Sequence, residues 1–329
     1  MRAYLIRRLL LVIPTVFLIS AIIFLLMRLV PGDIVDGIMA RMEESGEVSE
    51  IDETILARQF GLDAPLIVQY GRFLGVVKQK DGVFAGLAQG NLGISWFTRE
   101  PVTQRVLAKL PVTIELGFFS LVISQLIAIP IGVISALRQD TAADYLGRSF
   151  AILFISVPSF WLGTVVILFA SIWWGYLPPI RWTAFGDDPL KNLRNIMVPA
   201  VINGLLMAGG TMRMMRTMML EVLRQDYVRT AWSKGLRERV VVYRHALRNA
   251  LIPVVTIVGL QIPILIGGTV IIEQLFTLPG MGQMIIDALR QRDYPTVNGV
   301  MIITSFTIVV VNLLVDITYG VIDPKVKYT

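Results

Sequence analysis

The sequence predicts an all-α polytopic membrane protein with six transmembrane helices and a small extracytoplasmic cap between the first two spans. Three observations predict it. The 329 residues are 55% hydrophobic and only 16% charged, whereas a soluble domain carries about a quarter charged residues. Six uncharged runs occur, at 9–27, 116–137, 149–180, 195–212, 249–272 and 294–315. A helix needs about 20 apolar residues to cross about 30 Å of hydrocarbon, so each run supplies one span. Charge is also segregated. With the N-terminus inside, the short inner segments hold 16 of the 30 Lys and Arg residues, while segment 31–110 holds 8 basic and 11 acidic ones. Positive charge gathers on the cytoplasmic side, which places both termini in the cytoplasm and the chain in the cell (inner) membrane.

The elements follow in order. The start, "MRAYLIRRLLLVIP", has the charge pattern of a signal peptide, but its apolar stretch is long and "FLLMRLVPGD" offers no small-x-small cleavage site. Residues 1–30 are therefore expected as a retained first span. Segment 31–110 is expected to be extracytoplasmic and folded. Ser49 and Asp52 have helix-cap spacing and Gly61 is a stop. In "PLIVQYGRFLGVV", Leu66, Tyr70, Phe73, Leu74 and Val77 share one helical face. Residues 82–96 are glycine-rich and turn-like. Val102, Val106 and Leu110 are spaced as a short amphipathic elbow helix on the membrane surface.

Residues 111–322 form the transmembrane core, and 323–329 a cytoplasmic tail. The run 149–180 is too long for one straight span and too short for two with a turn. Its "WWGYLPPI" end, with Trp173, Trp174 and Tyr176, is expected as an interfacial exit.

Composition excludes several chemistries. There is no cysteine, which removes disulfides, thiol catalysis and Cys-ligated metals, and the single histidine, His245, is too few for a His-based metal site. No G-x-x-x-x-G-K-[ST] motif occurs, so the chain has no nucleotide site of that kind. Ser95 could be a nucleophile, but His245 lies in a cytoplasmic segment across the membrane, so no Ser–His pair can assemble. A net charge of +6 does not point to nucleic acid, because the basic stretch is flanked by spans and carries an apolar face.

Polar residues inside the runs have two meanings each. Glu115, Glu273 and Asp316 stand at run ends, where interfacial capping or helix-pair contacts compete with a substrate site. Gln125, Gln261, Asn203 and Asn312 lie deeper and could line a translocation path or join helices by hydrogen bonds. Gly209–Gly210 and Gly267–Gly268 suit close packing or hinges.

The segment "DYVRTAWSKGLRERVVVYRHALRNALIP" (226–253) is basic and lies between two spans. One account is that it pins topology. Its pattern says more. Val228, Trp232 and Leu236 recur at four-residue spacing beside Tyr227 and Ala231, Asp226 is a good N-cap, and Gly235 can end the helix. Arg229, Ser233, Lys234 and Arg237 occupy the other side. Such a helix fits a lipid interface or a groove on a partner protein.

These residues carry a resemblance. "TAWSKG" followed by "HALRNALIPV" resembles the cytoplasmic EAA loop of binding-protein-dependent ABC importer permeases, in the peptide/nickel branch. Ala231, Gly235 and Leu247 match the general pattern. Arg229, Thr230, His245 and Arg248 depart from it as that branch does, and Trp232–Ser233 replaces its usual Arg-Ala. The likeness continues through "FGLDAPLIVQY" (60–70), "GNLGIS" (90–95), "PVTQRVLAKLPVTIEL" (101–116), "SVPSFWLG" (156–163), "GGTVIIEQLFTLPGMG" (267–282), "RDYPTVNG" (292–299) and "DITYGVIDPKV" (316–326).

The resemblance implies a type I ABC importer permease fold and a non-catalytic subunit. It implies a second homologous permease, two ABC ATPase subunits that bind ATP and Mg, and an extracytoplasmic solute-binding protein. Loop 219–250 would be the coupling loop, with Tyr227, Val228, Ala231, Trp232, Ser233, Lys234, Gly235, Leu236 and Arg237 at the ATPase. Implied cargo is a dipeptide or oligopeptide, with nickel chelates, glutathione and oligosaccharides carried by near relatives. A channel or self-contained carrier is the rival, and it leaves the docking helix unexplained.

Overall fold

The computed structural model describes residues 2–29, 63–179 and 181–322. Among them helix is the regular secondary structure, joined by turns and loops, with one isolated bridge between Ile94 and Pro101. The expected helix from Ser49 to Gly61 and the tail 323–329 lie outside the described residues. The chain divides into two compact units, one of residues 1–5, 112–282 and 310–329, the other of 6–111 and 283–309.

In the second unit, α1 (Arg2–Leu29) carries its described apolar stretch at Leu10–Leu26. Helix α2 (Leu66–Leu74) ends where Gly75 adopts φ 83° and returns its N–H to the Arg72 and Gly71 carbonyls. Tyr70 and Phe73 pack on Phe24, and the Tyr70 hydroxyl meets Ser20 Oγ at 2.9 Å. The expected face holds at Tyr70 and Phe73, but Leu66 is exposed. It stands in the first turn after Pro65, short of this contact. The glycine-rich stretch is a chain of turns around a short 3-10 helix, Leu87–Gln89, with Gly82, Gly90 and Gly93 at positive φ.

Helix α3 (Val102–Leu137) corrects the elbow. Val102 and Val106 belong to no separate surface helix; they are fully buried in the first turns of one 36-residue helix. Pro111 does not end the helix, since proline at an exposed turn keeps a helical φ and loses a single hydrogen bond. A helix of this length runs about 54 Å, more than the hydrocarbon core needs.

The 149–180 run is also resolved. Helices α4 (Ala142–Ser156) and α5 (Ser159–Trp174) meet at a 104° bend. Pro158 lacks the N–H that would continue the ladder, and it holds Val157 extended at φ −81°, ψ 126°. Helix α6 (Pro189–Leu223) opens with Pro189 after Asp188, whose side chain accepts from the Lys191 N–H at 3.1 Å. Helix α7 (Asp226–Ser233) follows. One turn at Glu238–Val240 and a π-helical stretch, Val241–Leu247, then lead into α8 (Arg248–Gly268). Last come α9 (Val270–Leu275), α10 (Met281–Arg290) and α11 (Tyr294–Ile322).

Four of these stretches are long and apolar enough to cross a membrane: Val102–Leu137, Pro189–Leu223, Glu238–Pro263 and Tyr294–Val315. The bent α4–α5 pair makes a fifth when counted as one span. Lipid tails are as apolar as leucine, so close packing holds such helices together. Glycine provides it. A Cβ at Gly204 would lie 2.8 Å from the Ser120 carbonyl oxygen, and one at Gly209 2.6 Å from that of Ala151. Gly210 and Gly267 face open space, so Gly209 packs and its neighbour does not. Leu116, Ile196, Ile202, Ile272 and Phe276 form a fully buried layer, and Met215, Met219, Val242 and Ala246 form another nearer α7.

Candidate functional site

Helix α7 is a short stub fixed by a small apolar face. Val228 and Ala231 are buried against Val241, with Val222 and Leu223 beside them. That face ties α7 both to the end of α6 and to the π-helical entry of α8. The cap is Gln225, and Asp226 is the first helical residue; it pairs with Arg229 at 3.6 Å. Helix α7 ends at Gly235, whose φ is +72° and whose N–H bonds the Trp232 carbonyl at 2.9 Å.

The expected apolar stripe is thereby corrected. Val228 is buried, but Trp232 is 45% exposed and Leu236 lies at the surface. The left-handed turn at Gly235 takes Leu236 off the helix before the four-residue spacing can repeat. Tyr227 is likewise exposed, its hydroxyl accepting from Asn249 Nδ2 at 2.8 Å. The outward surface thus presents Tyr227, Arg229, Trp232, Ser233, Lys234, Leu236 and Arg237 around an open space at Gly235.

Three of the four deep amides are brought into helix-to-helix hydrogen bonds. Gln261 on α8 donates to Thr211 Oγ1 on α6 at 3.1 Å and accepts from Gln125 on α3 at 3.5 Å. Asn203 on α6 donates to Ser120 Oγ on α3 at 3.3 Å. Asn312 is half-buried on α11 and takes no part in them. The Gln125 carbonyl oxygen is buried without a partner.

Glu273 is a fully buried carboxylate with a closed set of donors. Thr113 Oγ1 reaches it at 2.8 Å, Thr269 Oγ1 at 3.0 Å and the Gly282 N–H at 2.7 Å, while Thr113 also accepts from the Met281 N–H at 2.9 Å. The acid caps the start of α10, where the helix dipole favours negative charge. A Cβ at Gly282 would lie 2.9 Å from Glu273 Oε2, and Gly280 is tighter still. The segment "LPGMG" therefore needs both glycines to admit the carboxylate. Asp316 lies on α11, its side chain outside the described ones.

Two further clusters escaped the sequence reading. Asp144 and Arg216 form a bidentate pair at 2.7 Å for both bonds, and Ser135 Oγ donates to the same carboxylate at 2.6 Å. This joins α3, α4 and α6. In the other unit, Asp293 accepts from Ser95 Oγ at 2.5 Å, Thr296 Oγ1 at 2.7 Å and the Trp96 N–H at 3.1 Å, with Arg105 at 3.8 Å. Ser95 is a buried clamp, its hydroxyl also accepting from the Thr98 N–H. The signal for it was present: "GNLGIS" and "RDYPTVNG" are the two segments it joins.

Residues 128–328 match the family described as binding-protein-dependent transport system inner membrane component, and residues 1–117 match its N-terminal counterpart. A protein named as a peptide transport system permease in Brucella abortus (strain 2308) is 39% identical over 328 residues, covering all of both chains. The oligopeptide transport system permease protein AppB of Bacillus subtilis (strain 168) is 36% identical over 332 residues, again covering all of both. Among solved structures, an inward-facing MetNI methionine ABC transporter matches with a TM-score of 0.55 at 16% identity, over 67% of this chain and 97% of that one. The chain belongs to the binding-protein-dependent transport system inner membrane component family, the multi-pass permease subunits of ABC importers.

Proposed function

We propose that the chain is one of two homologous permeases of an ATP-driven importer. It carries peptides handed over by an extracytoplasmic solute-binding protein, and of the two ABC ATPases below the pair one docks on α7. One observation carries the docking: α7 turns aromatic and cationic side chains outward while Val228 and Ala231 hold it to its own chain. An exposed Trp232 beside Lys234 and Arg237 suits a partner groove with an apolar floor and an acidic rim. ATP and Mg belong to the ATPases. Their movement reaches α7, and the packing of α7 on Val222, Leu223 and Val241 passes it to α6 and α8 together. The Gln125–Gln261–Thr211 bonds tie α3 to the same pair.

Peptide cargo is supported by the names of the full-length relatives and by deep uncharged amides suited to peptide groups. The arrangement further includes six spans, with α1 as the first and α4–α5 as one bent span, and both termini in the cytoplasm. The outer cap precedes the second span. Because the chain has no cysteine, single-cysteine labelling tests the topology cleanly. Glu47→Cys should react with a membrane-impermeant reagent in intact cells and Glu238→Cys should not; the reverse result inverts the orientation.

Docking is tested with Trp232→Glu. Burying an unpaired charge costs several kcal/mol, roughly 3–5. The variant should reach the membrane normally yet lose uptake, either by shedding the ATPases or by hydrolysing ATP without transport. Normal uptake would remove α7 from the coupling path.

A further inference from the structure

Two arginines stand without a counter-ion where α8 enters the membrane. Helix α8 has 21 residues, a length of about 30 Å that matches the hydrocarbon core. Its first residue, Arg248, closes the basic stretch, and residues 249–272 carry no charge. Arg248 therefore marks one hydrocarbon boundary. Arg244 precedes it by four residues in the π-helical entry, at most about 6 Å further out. The headgroup layer is about 5–7 Å deep on each side, so both guanidiniums fall within its reach. Packing fixes where they point. Val242, Ala246, Ala250 and Val254 are buried in one cluster with Met215 and Met219 of α6. Arg244, Arg248 and Ile252 lie two residues from these, on the opposite side of the helix, and all three are exposed. Among the described residues neither guanidinium has an ion-pair partner, whereas Arg216 is closed by Asp144. Tyr243, beside Arg244, is 64% exposed, and a ring with a polar tip suits the interface. Deeper along α8, Thr256 turns its hydroxyl back to the Ile252 carbonyl at 3.3 Å, and Leu260 is exposed. The outer face of α8 is thus cationic at the boundary and apolar beneath it.

The occupant of such a face must be anionic at the boundary and apolar within. A phospholipid of net negative charge has both parts in one molecule. Guanidinium forks match phosphate oxygens in pairs, and basic residues at the end of a span attract anionic lipid. A zwitterionic lipid brings its own ammonium, which opposes the arginines. A soluble subunit can meet Arg244 from outside but cannot cover the apolar face beneath Arg248. A second, homologous permease would present cytoplasmic segments that are basic by the same rule, so like charges would meet.

We propose that Arg244 and Arg248 bind the phosphate of an anionic phospholipid, whose acyl chains lie along Ile252, Thr256 and Leu260. The site rests on α8 as a span, and not on the cargo or on the importer function proposed above.

The test uses the assembled importer, built with cysteine-free partner subunits, in nanodiscs of phosphatidylcholine and phosphatidylglycerol. The chain has no cysteine of its own, so Leu260→Cys carries a single bimane fluorophore on the face in question. Quenching by phosphatidylglycerol with brominated acyl chains is compared with quenching by brominated phosphatidylcholine. The anionic lipid should be preferred about fivefold, the worth of one arginine at a lipid surface. That preference should fall close to unity in Arg244→Gln/Arg248→Gln, and Arg244→Lys/Arg248→Lys should keep most of it. It should also weaken as salt is raised, because exposed charges are screened. Equal quenching by the two lipids, or a preference untouched by the glutamine variant, overturns the site. A preference indifferent to salt overturns it without recourse to either variant. Failure of both lipids to quench would show the face covered by protein and overturn the site in favour of the second permease. Loss of the preference on adding excess sn-glycerol 3-phosphate would overturn it in favour of a soluble phosphate.

Discussion

Glu273 and Glu115 look alike in sequence: each is a lone acid at the edge of an uncharged run. In the fold they are opposites. Glu273 receives two threonine hydroxyls and a helix-terminal N–H, and two glycines make room for it. Glu115 is half-buried and keeps one buried oxygen without a partner among the described residues. Asp144, closed by Arg216 and Ser135, sides with Glu273. The difference teaches that the donors around an acid, rather than its place at the edge of an uncharged run, decide how firmly the fold holds it.

The contrast can be broken first at its strongest closed pair. Arg216→Ala leaves the fully buried Asp144 carboxylate without its cation, a change that costs about 3–5 kcal/mol. Thermal unfolding of the detergent-solubilised importer should register it, and Arg216→Lys should recover only part, since a point charge cannot replace the two-pronged contact. A loss under about 1 kcal/mol would mean that Asp144 is not closed by this pair.

Glu273→Gln comes next. An amide presents one acceptor oxygen where the carboxylate presented two. With that oxygen on the Gly282 N–H, its NH2 faces the two threonine hydroxyls, which must turn to accept and give up their charge-assisted bonds. Losing hydrogen bonds to a charged group costs about 1.5–3 kcal/mol each. A drop of about 2–4 kcal/mol is expected in the same unfolding experiment, and an unchanged protein would place Glu273 with Glu115.

Much of this was legible in the chain. Gaps between charges located the apolar parts of α3, α6, α8 and α11, because a membrane interior excludes charge wherever the fold does not pair it. The α4–α5 bend lay in plain sight at Pro158 within "SVPSFWLG", but hydropathy does not register a missing N–H. The stripe through Leu236 failed because a single left-handed residue, Gly235, resets the helical phase. The clamp from Ser95 to Asp293 joins residues 198 positions apart, beyond any local periodicity. The closed and open acids were indistinguishable, since donors to Glu273 come from α3, the α8–α9 junction and the start of α10.

Gly235→Ala probes the outward surface with a smaller effect. Space around Gly235 is empty in the chain itself, so the added methyl meets nothing there. Only the left-handed backbone is penalised, by about 1–2 kcal/mol. Unfolding of the isolated permease should shift by no more than that. Gly235→Trp should cost the isolated chain little beyond the same penalty while abolishing ATPase co-purification. Retained co-purification would show that the open space is not the seat of a partner.

The smallest effect on stability is expected at Glu115, and it decides the comparison. Glu115→Gln is chemically the same substitution as at Glu273, with opposite surroundings. Here the carboxylate is half-buried and keeps one oxygen without a partner among the described residues. No hydrogen bond is given up at that oxygen, and the cost of holding an uncompensated charge disappears. Against this stands the lost attraction to the first turn of α6, worth about 0.3–1 kcal/mol. The balance is a change within about 1 kcal/mol of zero, on the stabilising side, in importer without cargo. A destabilisation matching that of Glu273→Gln would show that Glu115 is structural after all, and the distinction between closed and open acids would fall with it.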